Sequence, residues 1–573
     1  MITRFSIVTL IFFILSITFV IYPVSFTLRI PYLGRRKIPI NLATAPILAI
    51  AILWASQCLG ATQIRDGIVG TDGVKPYNIL ILFFSLAYMA ITLDISGLLQ
   101  AAAFWVSNKG GSSGWKLFFY FYIMLTLTSV IVGNDPVILS GTVFLVYYTT
   151  ATGLEPMPWL ISEFAAANTA SMVLFVGNPT NVVICEGFNI INAAFTVYTI
   201  LPFLGCSVFC FIALAFQFRN ARHVPRKLPT IGHLNVRGVL RDPFGALAGS
   251  LILGSCLIII IVVSFFHIDV WKISLPFAGV KLIFDFVWDH IRSVRKCRLS
   301  GDTQKSGLSG AQPVEDVDAD PMLSELRRAM SKSSETGNVE RNNTFTSGDP
   351  TLINSPNLDG SRREDTVPSS ESYIETQNTH SPKLEEPRLE QFASQRPRFH
   401  ATHRRLAAHF PTFFTALPRL PFGLVPFAFS QFILIEALQH QGWIEVFANW
   451  LVRASHRSIH SSIWLVGVLG VILCNCSGTN IGATILLTKV VRAADLPPDS
   501  TRAAGIALAV ASNIGAVSFT FSASLAGLLW TTILGQKDIH IKQREFAFWN
   551  LLPILVMTAV GLGIVSAEMA VLY

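Results

Sequence analysis

Phe175-Val-Gly-Asn-Pro-Thr-Asn-Val182 sets a polar Gly-Asn-Pro-Thr-Asn run in the middle of Trp159–Ile184, an apolar segment of membrane-spanning length. An unpaired amide or carbonyl in hydrocarbon costs several kcal/mol, so a backbone broken there cannot be left facing lipid. It is tolerated where it lines a cavity, which in transporters is commonly the binding site. One such break can be a packing kink. A second stretch of the same kind, Ala511-Ser-Asn-Ile-Gly-Ala-Val-Ser-Phe-Thr-Phe-Ser-Ala-Ser-Leu-Ala526, makes that explanation poor.

Aligned on Asn168 and Asn513, the two stretches lie 345 residues apart, with Gly177 on Ser522 and Asn181 on Ala526. The same offset carries Val132-Gly-Asn-Asp-Pro136 onto Ser477-Gly-Thr-Asn-Ile481, with Asp135 on Asn480. Two polar stations spaced alike in both halves predict a duplicated membrane domain.

Composition points the same way. Of 573 residues, 51% are hydrophobic and 14% charged, where a soluble chain carries about 25% charged residues. Apolar runs recur at Phe5–Phe26, Leu42–Leu59, Tyr77–Leu98, Leu117–Val132, Trp159–Ile184, Ala193–Phe216, Ala246–Phe266, Phe413–Leu438, Ile463–Leu473, Gly505–Leu534 and Phe548–Leu572. A helix of about 20 such residues crosses the hydrocarbon core, and the runs lack the alternation of a barrel strand. The first run is too long for a signal-peptide core and no small-residue cleavage site follows it, so it reads as a retained span. The expected fold is all-α and polytopic, with about ten transmembrane helices, two re-entrant hairpins, two inverted repeats and a disordered hydrophilic insert. The membrane is the plasma membrane or that of an organelle.

The net charge of +8 comes largely from loops at Arg35–Lys37, Arg219–Arg241 and beyond Arg292, which mark the cytoplasmic side; it is no nucleic-acid signal. Eight cysteines sit mostly in apolar runs and read as core residues, not a disulfide framework. Five regions follow. Residues 1–76 hold N-terminal transmembrane helices, 77–216 the first transport repeat, and 217–291 a linker loop with connecting helices. Residues 292–408 form a polar cytoplasmic loop too poor in apolar surface to fold, and 409–573 the second repeat. Inversion of the repeats hinges on a span near Trp271–Trp288, which Lys281 and Asp285 interrupt.

Ala167-Asn-Thr169, Gly177-Asn-Pro-Thr-Asn-Val-Val-Ile184, Asn480-Ile-Gly-Ala-Thr-Ile-Leu-Leu487, Ser512-Asn-Ile-Gly-Ala516 and Ser524-Leu-Ala-Gly-Leu-Leu-Trp530 resemble the arsenite/sodium–proton antiporter branch of the ion-transporter superfamily, the branch with citrate-transporter-like domains. The likeness covers about 77–216 and 413–572. It implies a carrier whose hairpin tips and unwound helices meet near the midplane. Related dicarboxylate carriers have Ser-Asn-Thr-type tips; here the tips read Gly-Asn-Asp-Pro and Ser-Gly-Thr-Asn, and the added acid disfavours an anionic solute.

The residues themselves agree. Asn134, Asn168, Asn178, Asn181, Asn480 and Asn513, with Thr169, Thr180, Ser477, Thr479, Ser512, Ser522 and Ser524, make an oxygen-rich set suited to a hard cation or a polyhydroxylated solute. The bland alternative for one Asn is a helix–helix hydrogen bond. Asp135, a carboxylate at membrane depth, is the candidate for proton coupling and for the ion site; a cap near water is its plain alternative. Asp94, Glu163 and Glu436 are weaker candidates, and Lys489 and Arg492 are expected to snorkel to the external surface. Cys474 and Cys476 flank Asn475 and could attract a thiophilic metalloid, although tight thiolate binding would slow release.

The expected function is secondary, proton-coupled efflux of a small inorganic solute or cation, such as arsenite, a metalloid hydroxide or sodium. A citrate or dicarboxylate carrier is the alternative within the class, and a non-transporting receptor or scaffold the alternative outside it. Deleting Arg298–Arg398 separates the last, since a carrier would keep its flux. No enzyme motif, metal site or cofactor is expected. The partners are the solute, protons or sodium and the lipid bilayer, with a homodimer compatible with the reading.

Overall fold

The computed structural model of the chain describes residues 3–30, 34–228, 233–266, 268–305, 324–326, 328–329 and 395–573. The protein is an all-α polytopic membrane protein; among the described residues eight helices are long and apolar enough to cross a bilayer. Their outer faces carry large exposed apolar side chains, among them Leu247, Leu251, Ile258 and Val262 on Pro243–Val263 and Val197, Leu204, Val208 and Ile212 on Asn192–Gln217. A patch of that extent is unsuited to water and suited to lipid.

The two halves repeat one order of elements. In the first half a span, Pro76–Ile95, is followed by a short helix, Leu98–Gly110, and a helical hairpin, Gly114–Val132 with Asn134–Thr152. A broken span comes next, Pro156–Ala170 and Pro179–Gly187 around the 3-10 turn Phe175–Gly177, and then Asn192–Gln217. In the second half the series is Leu424–His440, Trp443–Ser455, the hairpin Ile459–Cys476 with Asn480–Ala493, the broken span Pro498–Ala516 and Leu525–Gln536 around Phe521–Ala523, and Gln543–Leu572. Proline stands inside both closing helices, as Pro202 and Pro553, and these two helices pack together. There the Cys206 thiol donates to the Met557 carbonyl at 3.5 Å.

The local causes of the breaks are chemical. Pro179 has no N–H to donate and disfavours the α region for the residue before it; Asn178 is accordingly extended, at φ −148° and ψ 140°. The second break has no proline. Ser524 takes the same extended conformation and caps the next helix by accepting from the Gly527 amide at 3.0 Å. At the hairpin tips Gly133 and Gly478 hold φ of +92° and +82°, conformations that a side chain would strain.

Several boundaries differ from the sequence reading. The N-terminal span is shorter than Phe5–Phe26: the apolar helix is Arg4–Ile21, long enough to cross, and Val24–Ile30 pairs antiparallel with Gly34–Ile40. The basic residues of these strands, Arg29, Arg35, Arg36 and Lys37, are out of place in a continued apolar span. Within Leu42–Leu59 the helix is only Thr44–Ala55, 12 residues or about 18 Å, too short to cross a core of about 30 Å. Trp271–Lys305 is one continuous 35-residue helix, long enough for a span and an extension beyond it. A second helix, Gln395–His409, precedes the second half, so helical residues reach into the expected 292–408 loop from both ends. Within that loop, 306–323, 327 and 330–394 lie outside the described residues.

Lys281 and Asp285, which seemed to interrupt the Trp271 segment, form an i,i+4 ion pair exposed by only 2% and 5%. The Tyr88 hydroxyl donates to the second Asp285 oxygen at 2.9 Å. Pairing thus cancels the two charges inside the bundle. Removing one partner of such a pair costs about 3–5 kcal/mol, whereas replacing both by apolar groups is often neutral. Lys281→Met is therefore expected to lower the thermal unfolding midpoint sharply, and Lys281→Met with Asp285→Leu to recover most of it. Equal losses in both variants would show that packing, not charge pairing, matters there.

Candidate substrate site

The repeat is less regular than the aligned motifs imply. From the end of the first hairpin arm to its counterpart (Val132 to Cys476) the spacing is 344; beyond the tips (Asn134 to Asn480, Ala170 to Ala516, Asn178 to Ser524) it is 346. The second tip holds two more residues. Asn168 and Asn513, which the 345-residue alignment equates, are therefore one residue out of step, a turn of about 100° around the helix.

That rotation sends the two amides to different places. Asn168 faces its own hairpin, accepting from Asn134 Nδ2 at 3.3 Å and donating to the Phe164 carbonyl at 2.9 Å. Asn513 faces the other half. Its Nδ2 donates to Asn181 Oδ1 at 2.7 Å, and its Oδ1 accepts from Ser171 Oγ at 2.8 Å and from Asn178 Nδ2 at 3.3 Å. Ser512 adds a bond to Thr180 Oγ1 at 3.3 Å. Asn181 in turn donates to two carbonyls of the first break, Ser171 and Leu174, at 2.9 and 3.0 Å. The two breaks thus meet through buried amides and hydroxyls.

Each hairpin tip reaches the break of its own half. Asn134 does so through Asn168, and Asn475 Oδ1 accepts from the Phe519 amide at 2.6 Å. A tip at the depth of a break stops short of the far side, so arms as long as a span are compatible with re-entry. Three of the helix N-termini at this level are capped by their own residues: Asn178 accepts from Thr180 N, Thr479 from Gly482 N and Ser524 from Gly527 N.

Other sequence-predicted residues lie apart. The Thr169 hydroxyl faces Met557 Sδ at 3.2 Å, on Gln543–Leu572. Ser477 donates to the Thr479 carbonyl within its own tip. Asn480 is buried at the start of its arm, and Ser522 Oγ has no hydrogen-bond partner among the described residues. Asp135 is not part of the amide cluster. It lines a cavity on the other face of the hairpin, with Ala87, Leu139, Arg419, Leu420 and Leu528. Arg419 also pairs with Asp94 at 3.4 Å. Glu163 is fully buried and accepts from Thr142 Oγ1 at 3.0 Å. Cys474 is buried beside the Ser512 carbonyl while Cys476 is exposed, so the two thiols do not converge.

Three polar residues of the site were missed in the sequence. Ser171 joins both breaks, and Asn475 ties the second tip to its break. Gln431 is 1% exposed, with neither amide atom hydrogen-bonded among the described residues. It sits against Gly482, where a Cβ would fall 3.0 Å from its Oε1. Lys489, expected to snorkel, is instead buried at 8% exposure.

Two duplicated hairpins and two broken spans converging on one polar centre define the class of a membrane carrier. Comparison with known proteins agrees: residues 26–294 match the citrate transporter family model. The arsenical pump membrane protein of Yersinia enterocolitica is 22% identical over 244 residues, 41% of this chain and 54% of its own length. An arsenical pump membrane protein of Escherichia coli is 26% identical over 157 residues, 26% of this chain and 36% of its own length. An uncharacterized transporter of Mycobacterium tuberculosis is 20% identical over 247 residues, 41% and 55% of the two chains. The chain thus spans about half the length, or less, of the curated relatives it matches. The solved Alcanivorax borkumensis YdaH transporter aligns over 99% of this chain and 98% of its own at 13% identity and a TM-score of 0.35, a likeness too slight to carry an argument.

Proposed function

We propose that the protein is a secondary active transporter that exports a small inorganic solute, an uncharged metalloid hydroxide such as arsenite in particular, in exchange for protons. The single observation that carries this reading is the Asn513 cluster. Its partners Ser171, Asn178 and Asn181 are all neutral. Neutral donors and acceptors match the hydroxyls of an uncharged solute, and these partners include no arginine fork to pair a carboxylate. At each of three helix N-termini one amide is already engaged by its cap, which leaves fewer donors for an anion. The names of the arsenical pump relatives support the same solute class.

The inverted arrangement is supported by parity. With Trp271–Lys305 as a span, the basic loops at Arg219–Arg241 and after Arg292 fall on one side, and the two hairpins then enter from opposite faces. Alternating access follows if the halves move about the shared centre. In this scheme the solute is held at the breaks and the proton is carried separately, by Asp135 in the adjoining cavity.

The test is flux in proteoliposomes under an imposed pH gradient, screened over arsenite, silicate, sodium and citrate. Gradient-driven arsenite or silicate movement is the expected result. Citrate movement with the inorganic solutes unmoved would replace this reading by the organic-anion one, and no flux of any kind would leave the scaffold.

A further inference from the structure

Lys489 lies nine positions beyond Asn480 on the second arm of the second hairpin, about 14 Å along the helix from its tip and thus away from the amide centre. Its ammonium is surrounded by four oxygens from two other segments: Gln439 Oε1 at 2.6 Å, Glu436 Oε1 and Thr71 Oγ1 each at 2.8 Å, and Asp72 Oδ2 at 3.2 Å. An ammonium has three N–H bonds to give, so the oxygens outnumber the donors. The Thr71 hydroxyl also bonds Glu436; since a carboxylate only accepts, that hydrogen is spent and Thr71 turns a lone pair to the nitrogen. Four lone pairs converging on one positive centre is the arrangement of a cation shell, not of an ordinary ion pair.

Two further observations support a ligand site here. Thr488, 1% exposed, lines the same small cavity, and its hydroxyl has no hydrogen-bond partner among the described residues. The charges lining the cavity do not balance: Asp66, Asp72 and Glu436 stand against Lys489 and Arg492, leaving one excess negative charge. Arg492 is directed elsewhere, donating to the Gly187 carbonyl at the end of the first broken span.

We propose that Thr71, Asp72, Glu436 and Gln439 form a monovalent-cation site that Lys489 itself occupies in this structure, so that a free cation and the lysine compete for it. Exchange keeps the charge of the cage constant, which is why a monovalent ion fits. It would also release the far end of the second hairpin from Leu424–His440, because Lys489 contributes the hairpin's bonds to Glu436 and Gln439.

The experiment uses the purified full-length protein in detergent and follows its thermal unfolding midpoint with NaCl or KCl against N-methylglucamine chloride at matched ionic strength. Ligand that binds only the folded state raises the midpoint. Lys489→Ala, which empties the cage, is expected to gain a saturable rise of roughly 2–5 °C with sodium or potassium, at least twice that of the unaltered protein. Adding Glu436→Gln to Lys489→Ala should remove the gain. Should Lys489→Ala not be recovered as monodisperse protein, Lys489→Gln carries the same expectations. No response in the emptied cage, an equal response without Glu436, or a response to calcium alone would each overturn the proposal. These readouts are independent of flux and of the solute carried at the breaks.

Discussion

Asn513→Ala is expected to reduce gradient-driven solute flux at least about 100-fold, equivalent to roughly 2.7 kcal/mol, while the protein still inserts and purifies. The side chain is fully buried and joins Ser171, Asn178 and Asn181 across the two halves. Removing it leaves an Asn181 oxygen, an Asn178 amide and a Ser171 hydroxyl without that partner, each at about 1–3 kcal/mol if nothing replaces it. A lower thermal midpoint should accompany the loss, so stability alone is a poor discriminator. Thr169→Val provides the control: it lies beside the first break, at the end of Pro156–Ala170, but faces Met557, and its flux should stay within about threefold. Asn513→Asp keeps the shape and both acceptor contacts, but loses the donor to Asn181 and adds a charge. It should retain folding and become sensitive to sodium, a cation that the neutral cluster does not favour. If Asn513→Ala and Thr169→Val lose flux alike, the meeting point of the breaks is structural and the solute is held elsewhere.

Much of this centre is legible in the sequence because its causes are local. Asn178 before Pro179 ends one helix and caps the next whatever the surroundings, and a glycine at each tip permits the turn between arms. What the sequence hides is phase. A one-residue shift between Asn168 and Asn513 is invisible in an alignment that matches Asn to Asn, yet it decides whether an amide faces its own hairpin or the other half. Element boundaries, not residue identities, carry that information, and those depend on how many residues each tip holds. Asn475 was overshadowed by the thiols on either side of it. Gln431 had a usable signal, an amide deep in the aromatic run Phe427–Phe432, but a lone polar residue in a span is ordinarily read as a packing contact. Lys489 misled for a different reason. A long cation near a helix end ordinarily snorkels, and only the fold brings Glu436 and the Thr71–Asp72 turn close enough to hold it inside.

Asp135→Asn is expected to uncouple transport from protons without abolishing solute exchange. The carboxylate lies on the wall of a cavity bounded by Pro136, Leu139, Arg419, Leu420 and the Leu525–Gln536 arm, and none of the hydrogen bonds of the amide cluster involves it. Its role is therefore separable from solute binding, unlike the shared role that the 345-residue alignment suggests. Asparagine is close in size and keeps hydrogen-bonding capacity, so the hairpin tip should stay packed, with Asn134 still donating to Asn168. What asparagine lacks is a titrating proton: with a permanently neutral side chain, the cavity cannot change charge between the two faces of the membrane. In proteoliposomes the unaltered protein should move solute faster as the pH gradient steepens, whereas Asp135→Asn should show a flat response. Equilibrium exchange of labelled for unlabelled solute at equal pH should persist in the variant within about tenfold. Asn181→Ala, in the amide cluster, should do the reverse, weakening solute binding while the slope against the gradient remains. A normal gradient response in Asp135→Asn would make this carboxylate a bystander. Asp94, paired with Arg419, which itself lines that cavity, or the buried Glu163 would then be next to test.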